Sequence, residues 1–124
     1  MIFRYARHTT NLDEIKQFYV GLLGLEVIGN FENHHNYDGI FIGKKGENWH
    51  LEFTVCESKP THVPDKDDLL VFYFDTDEEY RKKVDYVKSQ GVKQVEAENP
   101  YWNENGFTIV DPDGFRVVLS VQKQ

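Results

Sequence analysis

The stretch Asp111-Pro112-Asp113-Gly114-Phe115-Arg116-Val117-Val118-Leu119 decides the fold. Its first four residues form a turn, with Pro fixing φ early and Gly accepting positive φ late. Phe107 to Val110 before it and Phe115 to Val121 after it have strand composition, so the stretch predicts a hairpin. Upstream of that hairpin, Val92 to Glu96 reads as another strand and Gly91 as the end of a helix. That helix opens at Thr76, with Glu79 three residues later in a capping-box pattern, and carries the apolar stripe Tyr80, Val84 and Val87. Leu69 to Asp75 is the strand before it. This half therefore runs strand, helix, then three strands joined by turns.

The first half of the chain has the same plan. Ile2 to His8 alternates like a strand. Asn11 caps a helix whose stripe is Leu12, Ile15, Phe18 and Leu22, and Gly24 stops it. Leu25 to Ile28, Gly39 to Gly43 and Trp49 to Val55 are strands, the last two joined by the turn Lys44 to Asn48. The halves register at an offset of about 66 residues, Arg4 falling against Leu69, Asp38-Gly39 against Asn105-Gly106 and Glu52 against Val118. The expectation is one α+β domain over 1–124 built from two βαβββ modules in pseudo-twofold repeat. Module one covers about 1–57, a connector about 58–68 and module two about 69–121. A ferredoxin-like sandwich is the alternative, and it has no place for the extra hairpins.

The 124 residues carry a formal net charge of −7. Such a chain repels phosphate backbones, which argues against nucleic acid as a partner. No apolar stretch approaches the ~20 residues of a membrane span. The N-terminus enters an alternating pattern without an apolar signal core, and the single Cys56 suits a reducing compartment, so the expected location is cytoplasmic.

The run His8-Thr9-Thr10-Asn11-Leu12-Asp13, then Phe18-Tyr19, Leu23-Gly24-Leu25, His50-Leu51-Glu52-Phe53-Thr54 and the Asp111 to Leu119 stretch resembles the vicinal oxygen chelate superfamily. That superfamily includes glyoxalase I, extradiol dioxygenases and the fosfomycin- and bleomycin-resistance proteins. The resemblance covers essentially the whole chain. It implies half-barrel sheets around a shared cleft and a homodimer. It also implies, in catalytic members, a divalent metal held by the first and last strands of each module. Those ligand positions fall on Arg4, Glu52, Leu69 and Val118, of which Glu52 alone has a metal-donor atom. No metal and no cofactor are therefore expected. A displaced set of His8, His50 and Glu52 is the remaining possibility, with nothing from module two.

Alternation assigns Arg4, Ala6 and His8; His50, Glu52 and Thr54; Leu69, Val71 and Tyr73; and Arg116, Val118 and Ser120 to the cleft face. The opposite face, with Phe3, Tyr5, Leu51, Phe53, Leu70, Phe72, Phe74, Val117 and Leu119, is the apolar layer under the helices. The cleft lining suits a small organic molecule with an apolar body and polar handles. The expected ligand-binding residues are Arg4, His8, His50, Glu52, Tyr73, Tyr101, Trp102 and Arg116. Tyr101 and Trp102 are placed on a loop, matched by His34-His35-Asn36 in module one. Arg4 is expected to hold Glu52 bidentately, a fixed cation in place of the metal. Catalytic residues are not assigned, Glu52 as a base being the one candidate. Three functions stay open: a binding protein, a glyoxalase-like lyase, isomerase or dioxygenase with a displaced or metal-free site, and a non-catalytic interaction module. Cys56 has no basic partner at a recognisable spacing, which argues against a catalytic thiol.

Overall fold

The Asp111 turn closes by side chain as well as by backbone. The buried Asp111 carboxylate accepts the backbone N–H of Asp113 and of Phe115, both at 2.9 Å. Gly114 takes φ 90°, which a side chain would oppose. These details come from a computed structural model that describes residues 1–122. The chain divides into two compact units, Met1–His62 and Val63–Gln124.

In the first unit, strand β1 (Phe3–His8) leads to helix α1 (Leu12–Lys16), which continues as a π-helix over Gln17–Leu22. The Asn11 side chain accepts from Glu14 N–H, as its capping position predicts. The wider turn is visible in the Leu23 N–H to Phe18 carbonyl bond, five residues back. Ile15, Phe18, Tyr19 and Leu22 all face inward, and the Tyr19 ring lies 5.1 Å from that of Phe53. Strands β2 (Glu26–His34), β3 (Tyr37–Gly43) and β4 (Trp49–Val55) complete a sheet of order β1-β4-β3-β2. β1 and β4 run parallel, and the other pairs are antiparallel.

The loop expected around His34-His35-Asn36 is the tight turn His35-Asn36 of a long hairpin, with His34 the last residue of β2. Asn33, His35 and Asn36 turn the chain with positive φ, and Asn33 N–H is held by the Asp38 carboxylate at 2.8 Å. The His34 and His35 rings meet edge to face at 4.5 Å.

The apolar face of the first unit's sheet packs under α1, with Leu51 and Phe53 buried on β4. Phe3 of β1 departs from the alternation by its exposure, and Arg7 keeps to it although its side chain is charged. Phe3, assigned to that layer, is exposed because it lies at the start of an edge strand. Arg7, of the same parity, is buried with its guanidinium 5.4 Å from the Phe53 ring centre, where an aromatic face accepts a cation.

In the second unit, β5 (Leu69–Phe74) is followed by α2 (Asp77–Ser89), whose Thr76 cap accepts Glu79 N–H. Short helix α3 (Pro100–Asn105) precedes β6 (Phe107–Val110) and β7 (Arg116–Val121). The sheet order is β5-β7-β6, with β5 and β7 parallel. Each unit thus lays its first strand parallel to its last, which is the repeat expressed in hydrogen bonds.

The strand expected over Val92 to Glu96 does not form. One ladder bond remains, from Val95 N–H to the Thr108 carbonyl. Side chains take over after it: Arg116 donates to the Glu96 carbonyl, and the Asn103 amide bonds both backbone groups of Ala97.

Candidate ligand-binding site

The parallel pairing of β1 with β4 places Arg4 beside His50 and Ala6 beside Glu52. Three side chains of one sheet face then converge. Arg4 Nε donates to His50 Nε2 at 2.9 Å, and Arg4 Nη1 lies 3.7 Å from Glu52 Oε1. The expected ion pair is present, but not as a bidentate fork, because the imidazole takes one edge of the guanidinium. Arg has no lone pair to offer, so this bond requires a neutral His50 with its proton on Nδ1.

Phe41 belongs to the same group. Its ring lies 4.8 Å from the guanidinium carbon of Arg4 and 5.8 Å edge-on from His50. Sequence reading left Phe41 out, although its register partner is Glu52. The available signal was alternation in β3, where Ile40 and Ile42 are buried on one face and Gly39, Phe41 and Gly43 occupy the other. The Arg4 side chain is 51% exposed and that of Glu52 15%, so the cation fronts the solvent and the carboxylate sits behind it.

His8 does not join this group. Its Nε2 lies 3.5 Å from Cys56 Sγ, so the thiol does have a basic neighbour. Register explains the contact. His8 pairs with Thr54, and Cys56 follows two residues later on the same side of the chain. Spacing along the sequence could not show a neighbour created by parallel strand pairing. The thiol also contacts the Ser58 carbonyl at 3.5 Å. A hydrogen bond with Cys56, the charge on that sulfur and desolvation together push the Tyr37 hydroxyl above its ordinary value of 10.0.

In the second unit, Tyr101 and Trp102 lie on α3 rather than on a loop. Asn99 caps that helix by accepting Tyr101 N–H, and Pro100 occupies its first turn. The Tyr73 and Trp102 rings are 6.5 Å apart, and Tyr101 meets Trp102 edge-on at 4.9 Å. Ser120 Oγ donates to the Asn105 carbonyl, and both Val118 and Ser120 are buried. Tyr73 and Tyr101 remain exposed. Arg116 is engaged with the Glu96 carbonyl at 2.7 Å.

The protein YycE of Bacillus subtilis (strain 168), itself uncharacterized, is 46% identical over 121 residues, spanning 97% of this chain and 87% of that protein. Residues 3–54 match the YycE-like N-terminal domain and residues 67–121 the YycE-like C-terminal domain. The chain belongs to the YycE-like family. A crystal structure of a Bacillus subtilis YycE protein of unknown function, provisionally described as a glyoxalase/fosfomycin resistance protein, aligns with a TM-score of 0.88 at 44% identity. The alignment covers 99% of this chain and 90% of that one. The trypanothione-dependent glyoxalase I of Leishmania major aligns with a TM-score of 0.75 at 17% identity, over 98% and 86% of the two chains. An antibiotic-binding protein from Streptomyces sp. CB03234 aligns with a TM-score of 0.70 at 17% identity, over 99% and 95%. The YycE-like fold is that of the vicinal oxygen chelate superfamily.

The superfamily metal is a poor fit to this YycE-like chain. At the four positions that the sequence resemblance assigns to metal ligands stand a guanidinium, a carboxylate and two hydrocarbon side chains, Leu69 and Val118. The neighbouring imidazole of His50 spends its Nε2 lone pair on Arg4. Among the described residues, no group of three or more His, Cys, Asp or Glu side chains is arranged to hold an ion. Among the described residues, no helix is long and apolar enough to cross a membrane.

Proposed function

We propose that this YycE-like protein binds a small organic molecule on the face that carries Arg4, Phe41, His50 and Glu52, without a metal. The observation that carries the reading is the 2.9 Å bond from Arg4 to His50. It fixes a cation on this face and leaves that cation half exposed. A guanidinium so held orients a ligand carbonyl or carboxylate by charge and hydrogen bonding. Phe41 supplies an apolar surface beside it. Metal-dependent lyase, isomerase or dioxygenase chemistry has no ligand set at these positions. A metal-free reaction with Glu52 as base is the alternative function, and a non-catalytic interaction module the second. The ligand-binding role of Tyr73, Tyr101, Trp102 and Arg116 within the second unit, a homodimer and a cytoplasmic location are further parts of the proposal on the grounds given by the sequence; His8, which neighbours Cys56, is not among the contacts of the Arg4 group.

A panel of small aromatic carboxylates and ketones, screened by thermal denaturation, tests this reading. A compound at a hundred times its Kd raises stability by about 2.7 kcal/mol, a shift of several degrees for a chain this size. The Arg4→Ala protein is expected to lose that shift while keeping the fold. A hit whose shift survives Arg4→Ala would move the ligand away from this face.

A further inference from the structure

We propose that Cys56 and His8 form a second, nucleophilic site in the first unit: a thiol with an imidazole base, taking small neutral α,β-unsaturated carbonyl compounds. The thiol does not stand alone. Its sulfur is 3.5 Å from His8 Nε2, and its influence pushes the Tyr37 hydroxyl above the ordinary value. The chain end that carries His8 is pinned, since His62 Nε2 lies 2.9 Å from the His8 carbonyl oxygen. Cys56 also lines an open cavity of about 450 Å³, with Asn33, Asn36, Asp38, Val55 and Glu57. That volume admits a ligand of several heavy atoms.

The lining selects the electrophile. Asp38 and Glu57 place carboxylates around the cavity and disfavour anionic compounds. Asn33 and Asn36 bring amide donors, which suit a carbonyl oxygen that gains negative charge as sulfur adds. The step balances without a further reactant. The thiol proton passes to His8 Nε2 and sulfur bonds to the β-carbon. The double-bond electrons move toward the carbonyl oxygen, and the proton returns to the α-carbon. Nothing is oxidised or reduced, and no group leaves. Tyr37 donates its hydroxyl to the sulfur as the negative charge forms. This site is separate from the Arg4 group and does not depend on that group binding a ligand.

Cys56 is the sole cysteine of the chain, so every adduct reports this site. The test is the rate of N-ethylmaleimide addition to the full chain at neutral pH, followed by mass, with glutathione as the reference thiol. The wild type is expected to react about tenfold faster than glutathione, and His8→Gln to remove most of that advantage. Tyr37→Phe alters an exposed ring without touching the core, and is expected to slow addition several-fold. It serves as the second arm should His8→Gln fail to fold. A wild-type rate no higher than glutathione's, or rates unchanged by both substitutions, would overturn the proposal.

Discussion

Arg4 shows how one residue can answer to two neighbours. Its guanidinium meets His50 at hydrogen-bond distance and Glu52 at 3.7 Å, and its side chain is half exposed. A bidentate, well-buried pair would couple by about 3 kcal/mol. A looser pair in contact with solvent couples by about 0.5–1 kcal/mol. A double-mutant cycle of Arg4→Ala and Glu52→Ala in urea denaturation is therefore expected to give a positive coupling of that smaller size. Strictly additive losses would show that the two groups do not interact. Arg4, Glu52 and His50 were legible as neighbours because alternation puts them on one face of two strands. Phe41 was equally legible in principle. Cys56 and His8 were not, because their contact depends on which strands pair and in which direction.

At the scale of elements, local capping signals held and a short apolar pattern did not. Asn11 and Thr76 both accept the N–H expected of an N-cap. Asn99-Pro100 is also a helix start, yet α3 is six residues long and too short to show a period. It packs against β6 and β7 all the same. Gly106, just past α3, sits so close to β7 that an added Cβ would lie 2.6 Å from Val118 Cγ1 and 3.1 Å from the Leu119 carbonyl oxygen. Its backbone is extended, so the constraint is space alone. Gly106→Ala is expected to destabilise the chain by about 1–3 kcal/mol through overpacking. The matching readout is a drop of several degrees in Tm, and an unchanged Tm would mean that α3 lifts off the sheet at little cost. The strand expected over Val92 to Glu96 is absent. Its residues have strand composition, but the Arg116 side chain holds the Glu96 carbonyl, which a ladder would have used.

At the scale of the whole molecule, the donor set at the superfamily's ligand positions leads to a measurable expectation. Protein purified without chelator is expected to contain well under one equivalent of zinc, nickel, manganese or iron by elemental analysis. A stoichiometric ion that survives dialysis would require a ligand set other than Arg4, Glu52, Leu69 and Val118. The repeat itself was present in the order of residues. Two capped helices, each preceded by an alternating strand and followed by glycine-marked turns, are local patterns, and local patterns survive in one dimension. Three features belong to tertiary structure alone. They are the sharing of Arg4 between His50 and Glu52, the cover that α3 provides over Val118 and Ser120, and the meeting of Cys56 with His8. Each depends on strand register or on the packing of one element over another. Those are set by burial summed across residues far apart in the chain, a quantity that no single stretch of sequence carries.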